Sequence, residues 1–537
     1  MAATDAPPSA WAPLRRPLFR TIWIASIASN VGTWMQNVGA AWLMTSLAPT
    51  PLFVSLVQAA SNLPFFLLAL PAGALADVVD RRRLMLAAQA WLFASAALLG
   101  ALTLGGVAGP GTLLACTFAI GVGSAFTAPA FAAIVPELVA HEEIESAVSL
   151  NGISMNLARA AGPALGGLVV GWAGAGATFV LNALSFLAVI AAVAAWQRAP
   201  REGRLPPEDL LGAMRTGIRY VRHNPELQTI MVRTGSFVLP ASAVWALLPL
   251  YARQELGLGP SGYGLLLGSF GVGAVIAGVL LPSARRRLGI ERLATASALV
   301  FAVANAALGP ARQLSFGPAM AAACIALLFA GGMWLGLLST LNAAAQIAIP
   351  AWVRARAMAV YMLVLFGALA LGSSLFGALA GAVGVPRSFE VAGAAIALAR
   401  LATWRRRLVD GPRPDFTPAP RWPAPEIVAA VDVGRGPVLV TVEYQIDPSH
   451  AEPFARAMRE VSEIRLRDGA LRWGLWTDAA QPERYLESFV VESWAEHLRQ
   501  HGRATAADRA VQARATAYHR GAAPPRATHF IHEQMPE

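Results

Sequence analysis

Gly73-Ala74-Leu75-Ala76-Asp77-Val78-Val79-Asp80-Arg81-Arg82-Arg83 separates two long apolar runs. The run before it, 51–76, carries no charge, and the run after it, 84–104, carries none either. Each is long enough to cross a bilayer at ~20 residues per helix. The stretch between them is therefore a tight turn joining two membrane helices. Its three arginines mark the cytoplasmic face, because Arg and Lys close to helix ends are retained on that side.

Composition extends this reading to most of the chain. Of 537 residues, 56% are hydrophobic and 14% charged, against about 25% charged in an ordinary soluble domain. A mean hydropathy of +0.51 over that length calls for a membrane solvent, not one very large core. No lysine occurs, so all 42 basic residues are arginine. The net charge of +10 sits at helix ends and linkers, which fits membrane topology and argues against nucleic-acid binding. Cys116 and Cys324 both lie in apolar runs, so neither a disulfide framework nor a thiolate metal site is expected. The first apolar run is too long for a cleavable signal peptide and opens an integral protein.

Twelve spans are expected, near 19–46, 51–77, 84–106, 112–136, 146–172 and 176–196, then 228–252, 261–282, 289–309, 315–341, 351–381 and 385–404. The short, nearly uncharged connections (47–51, 171–175, 309–316) alternate with charged ones (81–83, 137–145, 198–222, 285–292, 354–356). Both termini are accordingly expected in the cytoplasm. An internal repeat relates the two sets of six. Gly162, Gly167, Gly171 and Gly174 match Gly372, Gly377, Gly381 and Gly384 at one constant offset, which Ala147 and Ala357 share. The 8–9 connection, 278–287, echoes the 2–3 turn with a second arginine triplet but no acid.

The pattern G-x-x-x-D-x-x-x-R-R resembles the signature between helices two and three of the major facilitator superfamily (MFS). The chain keeps Gly73, Asp77, Arg81 and Arg82, and departs at Val78, where the family usually has Arg, and Asp80, where it usually has Gly. The resemblance implies an all-α membrane protein of two six-helix halves, 19–196 and 228–404. A cytoplasmic tail (1–18) and a cytoplasmic linker (197–227) flank the first half, and the substrate path lies between the halves near mid-membrane. It also implies that Gly73, Asp77, Arg81 and Arg82 take part in gating. Their plain alternative is a set of interfacial charges that fix topology.

Arg159 stands well inside span five, in Arg159-Ala160-Ala161-Gly162-Pro163-Ala164-Leu165-Gly166-Gly167. Gly162, Pro163, Gly166 and Gly167 resemble the exporter signature of MFS helix five. An arginine so far from either end costs about 3 kcal/mol or more unless it faces a cavity. Either it bonds polar helix groups or it meets an anionic or hydroxyl-rich substrate. In span one, Asn30, Thr33, Trp34, Gln36 and Asn37 put amides beside an aromatic ring, and Asn30, Thr33 and Asn37 share a helical face. They suit a pocket for an amphipathic solute, or equally amides that bond adjacent helices. Glu137, after Pro136, is a carboxylate that either titrates in transport or is a solvated loop charge.

From Trp404 the character changes. A Pro-rich linker (405–436) leads to a soluble segment, 437–537. Alternation gives strands at 437–445, 471–477, 484–491 and 528–533, with helices at 449–467, 493–501 and 505–518. The β-α-β-β-α-β order is ferredoxin-like, an α+β fold. It resembles the antibiotic-biosynthesis-monooxygenase type of dimeric α/β-barrel, and an MFS chain with such a tail resembles the transmembrane secretion effector branch, which includes the enterobactin exporter. Trp473, Trp476, His497 and His501 hint at chemistry in the tail. His497 and His501 have i,i+4 spacing, but no third ligand shares their helical face, so no metal and no catalytic residue is expected.

The resulting expectation is a secondary active exporter of a small amphipathic molecule (siderophore, antibiotic or drug-like) working by alternating access across the inner membrane. The chain has no phosphate-binding G-x-x-x-x-G-K-[ST] loop, and no cofactor is expected. The family implies proton antiport. The partners are the substrate, the lipid bilayer and the proton, with self-association through the tail left open. The competing reading is a membrane-anchored, cofactor-free oxygenase, or a bifunctional transporter, acting through the tail.

Overall fold

The computed structural model describes residues 11–196, 210–311, 313–408, 415–417, 419 and 434–533. Helices α1 (Pro17–Leu47), α2 (Pro51–Val78), α3 (Arg81–Leu104), α4 (Pro110–Leu138) and α5 (Ile144–Ala194) come first. After them come α6 (Leu210–Arg222), α7 (Pro225–Leu250), α8 (Pro260–Ala311), α9 (Phe316–Ile347), α10 (Arg354–Val383) and α11 (Val385–Ala402). Eight helices among the described residues are long and apolar enough to cross a membrane. At ~1.5 Å per residue, α5 and α8 are more than twice as long as a ~30 Å bilayer core needs. Each turns back once, at Gly174 (φ 80°, ψ 169°) and Gly289 (φ 75°, ψ 168°). With both arms of α5 and α8 counted, α1–α5 supply six arms and α7–α11 the other six.

The repeat has a conformational counterpart. Gly384, the partner of Gly174 in the repeat, turns α10 into α11 with φ 87° and ψ 159°. Only glycine adopts that backbone without strain. The structure corrects one boundary: the second arginine triplet, Arg285, Arg286 and Arg287, is not in a loop. Helix α8 continues through it to Gly289.

The end of the bundle with the arginine triplets 81–83 and 285–287, of the three that also include 405–407, is called the triplet end; the other is the far end. Most of α1–α11 belongs to one compact unit. A second unit comprises residues 211–228, 345–358 and 411–537. Its sheet is built from β1 (Val438–Gln445), β2 (Ala470–Thr477), β3 (Arg484–Val491) and β4 (Arg526–Ile531). The order is β2-β3-β1-β4 with antiparallel neighbours, the ferredoxin-like arrangement. Helices α12 (Ala451–Asp468), α13 (Trp494–Arg503) and α14 (Ala506–Thr516) complete it. Phe454, Met458 and Val461 of α12 fill a core with Val442 and Tyr444. Leu439, Trp476 and Phe530 are exposed on the sheet, and Leu439 faces Phe530 across the ladder.

The segment expected as a plain polar linker contains α6. Leu210, Met214, Ile218 and Val221 recur at helical spacing among arginines; Val221 is buried, Met214 half-buried and Ile218 exposed. Within the second unit, Tyr220 is buried and its hydroxyl donates to Ala348 O at 3.4 Å. Burial pushes that hydroxyl up to about 12, so it stays protonated. The Arg467 guanidinium lies 5.6 Å from the Tyr220 ring centre, and that of Arg503 lies 4.7 Å from the Trp352 ring. Arg219 Nη2 donates to Glu496 Oε1 at 3.2 Å. The α+β domain thus holds the segments that lead into α7 and α10.

Candidate transport path and gates

The two halves meet along two seams, α5 with α8 and α2 with α10, and glycines set how closely. A Cβ on Gly167 would lie 2.8 Å from Gly264 Cα and 2.7 Å from Pro260 O. Its repeat partner Gly377 does the same job on the other seam: a Cβ there would strike the Ser55 side chain and lie 3.2 Å from Pro51 O. Only hydrogen fits at either place: backbone meets backbone at Gly167, and the Ser55 side chain seats on Gly377. Gly162 and its partner Gly372 instead pack within their own halves, on Trp34 and on Leu239 with Ser242.

The close approach runs from the far end to mid-bundle. There Gly271 packs on Ala160 Cα and Arg159 O, Gly367 packs on Phe66, and Phe65 stacks on Phe366 at 4.4 Å between ring centres. At Gly73 in α2 and Gly152 in α5, towards the triplet end, an added Cβ would meet no atom of the described residues within 4 Å.

A polar latch crosses the halves at the far end, and sequence reasoning missed it. Arg253, just beyond α7, donates from Nη1 to Thr45 Oγ1 at 2.9 Å and to Ser46. Its guanidinium lies 5.6 Å from the centre of Trp42, which stacks on Tyr263. Gln254 Nε2 donates to Pro49 O at 3.2 Å. The available signal was an arginine at an otherwise arginine-poor end, against the charge rule. Hydrogen bonds from a charged donor are worth about 1.5–3 kcal/mol each. Arg253→Ala is therefore expected to loosen this end. In a chain with Cys116 and Cys324 changed to Ser, a cysteine at position 46 should label with a thiol reagent several-fold faster in detergent. Unchanged labelling would mean that the latch does not hold the end shut.

At the triplet end, the side chain of Asp77 lies outside the described residues. Arg81 Nη1 donates to Glu137 Oε1 at 2.9 Å, so the acid noted in α4 is a partner of the turn. Arg82 donates to Val193 O and Ala194 O at 3.3 and 2.7 Å, capping the end of α5. Asp80 accepts from Arg83 N at 2.9 Å and caps α3, which gives a role to the acid found where the family has glycine. In the second half, Arg233 and Arg400 share Glu291, and Leu408 N donates to the same carboxylate at 2.9 Å.

The span-one candidates divide. Gln36 is buried and accepts from Asn182 Nδ2 at 2.7 Å, and Asn30 Nδ2 donates to Ser154 Oγ at 3.4 Å, both inside the first half. Gln36 and Asn30 thus make bonds between adjacent helices, the alternative that the sequence left open for these amides. Asn37 is exposed and Thr33 half-buried. Trp34 reaches across to Trp245 of α7, ring centres 6.0 Å apart, and Trp245 continues to Phe270 and Trp334. Arg159 is half-buried, and among the described residues it makes no hydrogen bond or ion pair. Pro163 and Gly166 are buried in α5, with Gly166 against Met35.

In the α+β domain, Trp473 Nε1 donates to Glu487 at 3.1 Å and Trp476 Nε1 to Ser488 Oγ at 2.7 Å. His497 is buried, and burial beside His501 and His529 pushes it down to about 3, so its ring is neutral.

Residues 8–537 match the transmembrane secretion effector family. The chain belongs to that family. It is 24% identical over 278 residues to the staphyloferrin A transporter of Staphylococcus aureus (strain NCTC 8325 / PS 47), covering 51% of this chain and 69% of that one. It is 26% identical over 393 residues to the multidrug efflux pump Tap of Mycolicibacterium fortuitum, covering 70% and 92%. Among solved structures, a bacterial homologue of the iron transporter ferroportin in an inward-facing state superposes with a TM-score of 0.56 at 17% identity. That match spans 73% of this chain and 98% of the homologue. The transmembrane secretion effectors are multi-pass membrane transporters of MFS fold, and so is this chain. Transport is the family's activity, and the oxygenase reading of the tail is set aside.

Proposed function

We propose that this transmembrane secretion effector exports a small amphipathic anion from the cytoplasm by alternating access. The observation that carries the reading is Arg159. It stands at the α5–α8 seam, below the closed far end, and no carboxylate among the described residues neutralises it. An uncompensated guanidinium at mid-membrane is costly. Water in the path offsets part of that cost, and a bound anion offsets more. Asn37, Thr33 and the aromatic surface of Trp34 supply polar and apolar contacts for the rest of such a solute. Relatives named as a staphyloferrin A transporter and a multidrug efflux pump support a small-molecule cargo.

In this reading the triplet end faces the cytoplasm, as the retained arginines require, and both termini lie there in the bacterial plasma membrane. Gly73, Asp77, Arg81 and Arg82 form the cytoplasmic gate, with Glu137 as the counter-charge to Arg81. Proton antiport follows from the family resemblance. Self-association through the sheet face bearing Leu439, Trp476 and Phe530 is supported by the size of those exposed side chains.

The test is Arg159→Gln. A charge-assisted contact contributes about 1.5–3 kcal/mol, or roughly tenfold to a hundredfold in affinity. The variant should reach the membrane at normal abundance and lose transport of anionic or catechol-like compounds far more than of cationic dyes. Equal loss for both charges would make Arg159 a packing residue, and absence from the membrane would make it a folding one.

A further inference from the structure

We propose that His497, His501 and His529 form a site for a divalent transition-metal ion, of the borderline class that zinc represents, in the α+β domain. His497 and His501 lie one turn apart on α13. Their Nε2 atoms face each other at 3.2 Å, with ring centres 4.8 Å apart. A tetrahedral ion with ~2.0–2.1 Å bonds holds two ligating nitrogens roughly 3.3 Å apart, so this pair already has the bite such an ion needs. The third ring comes from β4. His529 stands opposite Val440 in the ladder, and its ring centre is 4.6 Å from that of His497. No pattern local to α13 could reveal it.

One orphaned atom points the same way. His529 Nε2 is buried without a hydrogen-bond partner. A single N–H···N bond between His497 and His501 accounts for their approach but leaves the His529 nitrogen buried and unused, which is costly. Among the described residues no three such groups already converge on one point. Binding therefore requires the His529 ring to turn, and its Nε2 has no hydrogen bond to give up. Three imidazoles suit zinc, copper, nickel or iron better than calcium or magnesium. The fourth position stays open to water or to the Gln500 amide. The ion would tie α13 to β4. Because α13 also carries Glu496 and Arg503, which hold Arg219 and the Trp352 ring, occupancy would stiffen the grip on the segments entering α7 and α10.

The experiment is a cobalt(II) titration of the full chain, purified in detergent with a histidine-free affinity tag. One equivalent should give the visible d–d absorption of a near-tetrahedral site, and zinc should bleach it. His501→Gln and His529→Gln should each weaken cobalt binding at least tenfold, with thermal unfolding in metal-free buffer near wild type. Zinc should raise the unfolding midpoint of wild type and not of His529→Gln. Lack of saturable one-equivalent binding overturns the proposal. So does wild-type affinity in His529→Gln, which would leave only a two-histidine chelate. Should His529→Gln fail to fold, His529→Phe, which keeps the ring volume and cannot ligate, takes its place, and wild-type cobalt affinity in it overturns the proposal.

Discussion

Gly167→Val is expected to cut export at least roughly fivefold at wild-type abundance, and up to about a hundredfold. The far end closes by bringing Gly167 onto Gly264 and Pro260, where a Cβ would sit 2.8 and 2.7 Å from backbone atoms. Backbone cannot yield as a flexible side chain can, so the added methyls must part α5 from α8. Overpacking of this kind costs about 1–3 kcal/mol, and the cost falls only on the far-end-closed state. That state should therefore lose roughly five- to hundredfold in population. Gly171→Val is the matched control. One turn along α5, its Cβ would reach only Pro260 Cγ at 4.0 Å, an ordinary contact, so export should stay near wild type. Equal behaviour of the two variants in vesicle transport would remove the seam from the mechanism.

Glu487→Gln is expected to destabilise the α+β domain by about 3–5 kcal/mol, a large part of the 5–15 kcal/mol typical of a domain. Arg465 and Glu487 are buried, 1% and 0% exposed, and joined by bonds of 2.9 and 3.3 Å. Tyr444 Oη and Trp473 Nε1 also donate to the carboxylate, each at 3.1 Å. Removing its charge takes from the buried Arg465 guanidinium the carboxylate that holds it through two hydrogen bonds, which is worse than losing the pair to apolar residues. Hydrogen exchange on the full chain should show β1 and β3 losing protection by on the order of a hundredfold or more. Unchanged protection would contradict the account. Burial pushes the Glu487 carboxyl up, but the Arg465 charge and the hydrogen bonds from Arg465, Trp473 and Tyr444 outweigh it and hold it below the usual range. A lowered folded value means that the pair's contribution is present above the unfolded value of about 4.3. It is lost as pH falls from there through the folded value. The domain should accordingly loosen in acid, and Glu487→Gln should show less of that dependence.

The span plan was legible because lipid imposes it: apolar length and arginine placement leave little choice once the 73–83 turn is read. The glycine repeat was legible as a repeat. Which of its members touch a neighbour was not, because Gly167 and Gly171 differ only in the helix they face. Partners supplied by distant chain were out of reach for the same reason. Glu137 answers Arg81 from 56 residues away, and His529 comes to α13 from β4. Helix α6 was different, since its apolar positions were there to be counted among the arginines. Arg253 too was visible as a violation of the charge rule and passed over.

The central claim is that the two ends of the bundle open and close in opposition. Paired spin labels report on it directly, at positions 48 and 259 for the far end and 142 and 288 for the triplet end, with Cys116 and Cys324 changed to Ser. The wild-type chain should give a short far-end distance and a long triplet-end distance, and Gly167→Val should reverse both. Distances that stay fixed, or that lengthen at both ends together, would contradict it.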